Sequence, residues 1–502
     1  MVDVLLTHSY HLLYDQKQGR KMQPYRPLGT LYAAAALRAA GFSVALFDTM
    51  LSNPEQGFSA FFAEHSPRVV AIYEDDFNFL TKMCLTRMRE VAWHIAAVAN
   101  QNAVPVIVHG SDATDHPELF LSNGIDYVLR GEAEQTLVEI CSALIEGTQA
   151  DNICGLVSLG NMGEAAYSDQ RLSKNPDWTT FPQPPGDLTD FALYRHAWND
   201  AHGYFSVNMV SSRGCPYRCN WCAKPVSGNK FHLRPAAAVA EEMRQLKAEA
   251  GAQHIWFGDD VFALNHNWVQ EFAAEVAARH AALPFKIQSR ADLMTDQTVA
   301  ALKSAGCAEV WMGVESGSQK ILDEMDKGLR LATVYEARQR LKQANIRACY
   351  FLQFGYPGEN WIDLQKTIAF VRSTRPDDIG ISFSYPLPGT AFYDRVQAQL
   401  GQKRNWADSD DMCIMFQAEY TSDFYRAVRN ALHAEVDTWA ALGEQQPAEA
   451  AASVDRLWKD VSTLEPASRN PHAFVLSTPS VDAVARTTDF LPIHELFSTT
   501  GV

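Results

Sequence analysis

The sequence predicts an α/β protein: a doubly wound parallel sheet, then a partial (β/α)6 barrel of the TIM-like kind, then a helical C-terminal region. Short apolar runs alternate with helical periodicity through the first 150 residues, and the same alternation resumes at Phe205 for six strand–helix units. Between the two stretches, NPDWTTFPQPPGDLTD packs four prolines and a glycine into a short span, which reads as a connector. These breaks divide the 502 residues into a first domain (1–150), a linker (151–204), a barrel (205–395) and a C-terminal helical region with its tail (396–502).

In the first domain, strands are expected at Val2–Thr7, Phe42–Phe47, Arg68–Tyr73, Val104–Val108 and Asp126–Leu129. LGTLYAAAALRAAG gives a helix that stops at Gly41, and Phe79–Asn100 reads as a long helix. Sheets of this kind bind ligands beyond the carboxyl ends of their strands. Here those ends carry His8, Asp48, the Glu74-Asp75-Asp76 run and Gly110-Ser111-Asp112.

In the barrel, strands are expected at Phe205–Ser211, His254–Phe257, Phe285–Gln288, Glu309–Gly313, Ala348–Phe354 and Ile379–Ser384. The helices between them fall at Ala236–Glu249, Asn267–Arg279, Thr295–Ala305, Ser318–Met325 with Thr333–Ala344, and Trp361–Ser373. Barrels of this type carry their reacting groups on the loops after the strands. Beyond residue 395, Phe424–Leu442 reads as an amphipathic helix, and Trp406, Trp439 and Trp458 are positioned to cap the barrel mouth.

A hydrophobic share of 47% and a charged share of 20% are those of a globular chain. No apolar run reaches the length of a membrane span, and the first twenty residues lack a secretory layout, so a cytoplasmic location is expected. A formal charge of −16 disfavours nucleic acid as partner.

Nine cysteines are spread along the chain without a disulfide framework, but SSRGCPYRCNWCAKP gathers Cys215, Cys219 and Cys222 directly after the first barrel strand. Three close thiolates can hold three irons of a cubane cluster and leave the fourth iron open to a chelating substrate. A zinc site completed by His232 is the competing reading of these residues alone.

With its companion motifs, the stretch from Phe205 to Phe392 resembles the radical S-adenosylmethionine (SAM) superfamily. The resemblance implies a [4Fe–4S] cluster on the three cysteines, with Trp221 near the adenine. WFGDDVF places Gly258, Asp259 and Asp260 where the family meets the methionine amino group. IQSRADL places Ser289 and Arg290 toward the methionine carboxylate. VWMGVESGSQKILDEMDKG brings Glu315 near the cofactor, and FLQFGYPGE brings Gln353 to the same cavity. Singly, each motif also reads as a solvated turn, a tight glycine turn or a surface ion pair; the resemblance lies in their order at successive strand ends.

The upstream domain resembles the cobalamin-binding subgroup, which includes class B methyltransferases and the anaerobic magnesium-protoporphyrin monomethyl ester cyclase. PYRPLGTLYAAAALRAAGF, HGSDATDHPE and GIDYVLRGEAEQTL carry that likeness, which implies cobalamin near Gly110 and Ser111. Asp-x-His-x-x-Gly, the motif of a lower axial histidine, is absent; Asp200-Ala-His202 only begins it. A methylthiotransferase would need three further cluster cysteines in the first domain, where only Cys84 and Cys141 lie. The function implied is methylation of an unactivated carbon on a small-molecule, lipid or tetrapyrrole-like substrate, SAM acting as radical source and methyl donor. Oxidative cyclisation or rearrangement with the same cofactors is the alternative, and a non-catalytic metal and cobalamin sensor is a third. A flavodoxin or ferredoxin is the expected electron donor. No side chain is singled out as a catalytic acid or base.

Overall fold

The computed structural model describes the chain except residues 78–82, 84, 151–152, 161–162, 170–181, 225, 402–404, 408–411, 443–447 and 472–502. The first domain is built on a seven-stranded sheet of β1 (Val4–Thr7), β2 (Val44–Phe47), β3 (Val69–Tyr73), β4 (Val106–His109), β5 (Tyr127–Leu129), β6 (Leu156–Leu159) and β7 (Ala165–Tyr167), in the order β2-β1-β3-β4-β5-β6-β7. The pairings from β2 to β5 are parallel; β6 and β7 extend the sheet antiparallel. Both faces of the parallel part are covered, which is why its strands read as unbroken apolar runs. Leu5, Val70, Ile72, Val106 and Val108 meet the helices Pro54–His65 and Thr86–Gln101 on one side. Val4, Leu6, Ala71 and Ile107 meet Leu28–Ala39 and Glu134–Glu146 on the other.

The stretch expected to be linker therefore contributes two strands and the helix Phe191–His202. Its strands are only four and three residues long, and β7 is largely exposed, so no sustained apolar pattern marks them. The long helix expected from Phe79 is described only as Thr86–Gln101, because part of its start lies outside the described residues.

In the barrel, β8 (Ser206–Met209) is followed by a small antiparallel ribbon, β9 (Ser212–Arg213) with β10 (His232–Leu233). Then come β11 (His254–Phe257), β12 (Phe285–Ser289), β13 (Cys307–Glu315), β14 (Arg347–Phe354) and β15 (Asp378–Phe383). The six long strands are parallel and lie in chain order from β8 to β15, so the sheet curls without closing. One side-chain parity faces the outer helices: Phe257 packs edge-on to Phe272 of the helix His266–Ala278, and Tyr350 stacks on Phe370 of the helix Trp361–Thr374. Asn360 starts that last helix with a capping box to Asp363, fixing where it leaves the loop after β14.

Beyond the barrel, helix Ser422–Leu442 lies beside β15 and against a second helix, Ala448–Leu464, which the weak local pattern had not announced. The buried Trp406 carbonyl accepts from the Thr86 amide, so the C-terminal region reaches the first domain. No helix among the described residues is long and apolar enough to cross a membrane.

Candidate functional site

Cys215, Cys219 and Cys222 lie on the loop between β9 and β10, each partly exposed. The loop is fixed at three points. Asp259, at the end of β11, is buried and accepts from the Ser211 amide at 3.1 Å and from the Ser211 hydroxyl at 2.7 Å, with Ser212 as a further donor. The Lys224 ammonium donates to the carbonyls of Cys215 and Tyr217 and to Asn229. Asn220 donates to Glu324 O at 2.7 Å and accepts from the Tyr356 hydroxyl at 2.8 Å, tying the loop to the segments after β13 and β14. Burial pushes the Cys215 thiol up, opposed by Lys224. Among the described residues no three His, Cys, Asp or Glu side chains converge as one ion requires. A cubane instead spreads its thiolates over separate irons, and the three sulfurs on one pinned loop fit that demand better than a single zinc.

The residues expected around SAM gather at the neighbouring strand ends. Glu315 closes β13 at a register shift, with φ of 63°, and accepts from Lys327 Nζ at 2.8 Å. That ammonium lies 5.9 Å from the ring centre of Trp221, whose indole N–H is buried without a partner. Gln353 is buried with its Oε1 unpartnered, and Gly258 leaves its backbone partly open. These unspent polar groups are what a zwitterionic ligand would satisfy.

Other positions are already engaged. Asp259 is committed to the serines, and Ser289 donates to Phe262 O at 2.7 Å. Arg290 donates to Lys327 O at 3.0 Å, pairs with Asp292, and stacks its guanidinium 3.9 Å above Tyr217 of the cysteine loop. Asp260 is exposed beside them. Of the aromatic residues near strand ends, Tyr350 belongs to the outer core and Tyr356 to the loop's anchorage.

In the first domain, a crevice beyond the ends of β1, β3 and β4 is lined by Ser9, Glu74, Arg89, Gly110 and Asp112, with Val108 and Phe120 deeper. The acidic run after β3 is no solvated tip. Glu74 is buried and accepts from the Ser9 amide, and Asp75 accepts from the Gly29 amide; burial raises both, Asp75 to about 7. Arg89 clamps Asp112 through two bonds of 2.6 Å. Gly110 has φ of 149°, and a Cβ there would lie 2.8 Å from Glu74 Cγ. Ser111 is buried beside it with an unpartnered hydroxyl. Gly110 is kept bare by Glu74 itself, and the unspent Ser111 hydroxyl is the group there that a polar-rimmed ligand such as a corrin would satisfy. The ring nitrogens of His8, at the end of β1, meet Asp48 at 2.9 Å and Thr49 at 3.0 Å. Gly110→Val is expected to remove corrin binding while the iron content stays unchanged, as corrin and cluster absorbance of the purified protein will report.

The two domains meet just ahead of the cysteine loop. Arg213, two residues before Cys215, is buried and donates to Glu134 at 2.6 Å; Glu132 lies 3.9 Å away and Phe77 stacks under the guanidinium. Burial pushes Glu132 up to about 7. Sequence reasoning did not single out Arg213, Asn220 or Lys327, because their partners lie 79, 104 and 12 residues away.

Comparison with known proteins agrees with both halves. The model of the Radical SAM superfamily matches residues 209–371 and that of the B12 binding domain matches residues 23–141. An uncharacterized methyltransferase of Pyrococcus horikoshii is 29% identical over 63% of this chain and 68% of its own length. The anaerobic magnesium-protoporphyrin IX monomethyl ester cyclase of Synechocystis is 24% identical over 56% of each chain, so this chain spans little more than half of that relative. The solved structure of a radical SAM methyltransferase from Kitasatospora setae shares the fold, with a TM-score of 0.64 at 20% identity over 81% of this chain and 76% of that one. Residues 23–141 are therefore a B12 binding domain, residues 209–371 a radical SAM domain, and the chain is a cobalamin-binding radical SAM enzyme.

Proposed function

We propose that this enzyme transfers a methyl group to an unactivated carbon of a small molecule. The observation that carries the reading is the convergence of the two ligand-binding faces: loops after β3 and β5 touch the cysteine loop through Phe77, Glu134 and Arg213. When bound, the cluster supplies the electron that releases a 5′-deoxyadenosyl radical from SAM, and cobalamin supplies a methyl carrier. The chain's own part is placement. Cys215, Cys219 and Cys222 hold the cluster, and Trp221, Gly258, Glu315 and Gln353 frame SAM. Gly110 and Ser111 border the corrin crevice. The buried Arg213–Glu134 pair fixes the distance between these sites and keeps water from the seam.

Thiolate ligation requires a reducing compartment such as the cytoplasm, and a flavodoxin or ferredoxin is the proposed electron source. The likeness to a cyclase supports oxidation as the second reading. The test is anaerobic reconstitution with iron, sulfide and hydroxocobalamin, then dithionite and SAM bearing a deuterated methyl group. About four irons and one corrin per chain, with 5′-deoxyadenosine and a deuterated methyl on the product, are expected. Product that has lost hydrogen without gaining the label would replace methylation by oxidation.

A further inference from the structure

One acid in the first domain lines a crevice without a counter-ion. Glu74, the residue after β3, stands in the wall of the crevice beyond β1, β3 and β4, with Ser9, Arg89, Gly110 and Asp112 around it. It is 8% exposed, and the Ser9 amide lies 3.1 and 3.3 Å from its two oxygens. Its stem abuts Gly110, where a Cβ would lie 2.9 Å from Glu74 Cβ and 2.8 Å from its Cγ. That contact and the Ser9 amide together hold the carboxyl in the crevice wall.

The charges facing it are matched among themselves. From the helix Thr86–Gln101, Arg89 gives two bonds of 2.6 Å to Asp112 of the short helix Ser111–Asp115, and His116 meets the same carboxylate at 2.9 Å. From the end of β1, His8 pairs with Asp48 at 2.9 Å. Asp75, next along the chain, accepts from the Gly29 amide. Among the described residues Glu74 itself makes no ion pair. Burial raises its pKa, opposed by His8 and the Ser9 amide, and Asp112 adds to the rise. A carboxyl balanced in this way answers a change of charge nearby by gaining or losing its proton.

A bound corrin brings such a change. One-electron reduction adds a negative charge at the cobalt, and an ionised carboxylate in the same crevice opposes it by Coulomb repulsion. We propose that Glu74 couples proton uptake to reduction of the bound corrin: one electron passes from the reductant to the cobalt, one proton passes from solvent to the Glu74 carboxylate, and the net charge of the crevice stays the same. Reoxidation returns the proton. This rests on the reading of the crevice as the corrin site, and gives the acid in its wall the role of setting the cofactor's potential.

The test is a redox titration of the full chain loaded with cluster and hydroxocobalamin, following the cob(II)alamin EPR signal against poised potential from mildly acidic to alkaline pH. The cobalt potential is expected to fall as pH rises. Where Glu74 is ionised before reduction and protonated after it, the reduction equilibrium shifts tenfold per pH unit, about 59 mV for one electron. Glu74→Gln is expected to keep the corrin, lose the slope and hold a potential above that of the wild type at alkaline pH. Asp75→Asn is expected to keep the slope. Glu74→Asp is expected to keep the slope over a displaced pH range, which leaves the assignment testable should Glu74→Gln lose the corrin. A wild-type potential that does not move with pH, a slope that survives in Glu74→Gln, a slope lost in Asp75→Asn, or an undisplaced range in Glu74→Asp would overturn the proposal. Wild-type protein that takes up no corrin removes the reading of the crevice and the proposal with it, whereas bound corrin with a pH-independent potential removes the proposal alone.

Discussion

Alanine at Cys215, Cys219 or Cys222 is expected to give a folded protein that holds no [4Fe–4S] cluster and forms no 5′-deoxyadenosine. Each thiolate is the only protein ligand its iron would have, so the loss is not shared among neighbours. The loop itself does not depend on the sulfurs: Asp259, Lys224 and Asn220 hold its backbone. Stability of the apoprotein should therefore change by less than about 0.5 kcal/mol, the range of surface substitutions. Iron analysis, the spectrum of the reduced cluster and a urea midpoint on the apoprotein separate the two effects. Iron content and 5′-deoxyadenosine yield like the wild type in all three variants would remove these cysteines from the chemistry.

Breaking the pair between Arg213 and Glu134 is expected to have the opposite profile, a large loss of stability. Both side chains are nearly inaccessible, at 3% and 5% exposure, and the bond is 2.6 Å. Removing one partner strands a charge in a low-dielectric seam, which costs about 3–5 kcal/mol. Arg213→Met or Glu134→Gln should lower the urea midpoint accordingly and loosen the seam between the domains. The double variant Arg213→Met with Glu134→Leu should recover most of the loss, because well-packed apolar groups can replace a buried pair at little cost. If the single variants unfold at the wild-type midpoint, the pair is not what holds the domains together.

Much of this architecture is written in local pattern. The five parallel strands of the first domain and the six of the barrel are continuous apolar or alternating runs, and each appears within a few residues of its expected place. The cysteine loop and its companion strand ends are legible for the same reason, since their chemistry sits in short contiguous motifs. What the sequence hides is of two kinds. Strands β6 and β7 are four and three residues long and β7 buries no side chain, so LVSL and AAY are too short to stand out from connector. The anchors of the site are long-range: Arg213 looks like any arginine until the fold brings Glu134 to it. Asp259 likewise reads as a ligand contact, and only the fold shows its carboxylate taken by Ser211 and Ser212.

The order of the barrel strands has a consequence for the domain arrangement. An open sheet has two bare rims, and a rim of unpaired backbone groups invites pairing with another chain. At β15 the rim is flanked by the helix Ser422–Leu442. At β8 it is guarded from the first domain: Arg26 donates from its guanidinium to the Asn208 carbonyl at 2.7 Å, while the Asn208 amide exchanges two bonds of 2.8 Å with the Arg26 backbone. The B12 binding domain thus also serves as the barrel's missing wall, and the partnership of the two domains is as much a safeguard against self-association as an arrangement of cofactors.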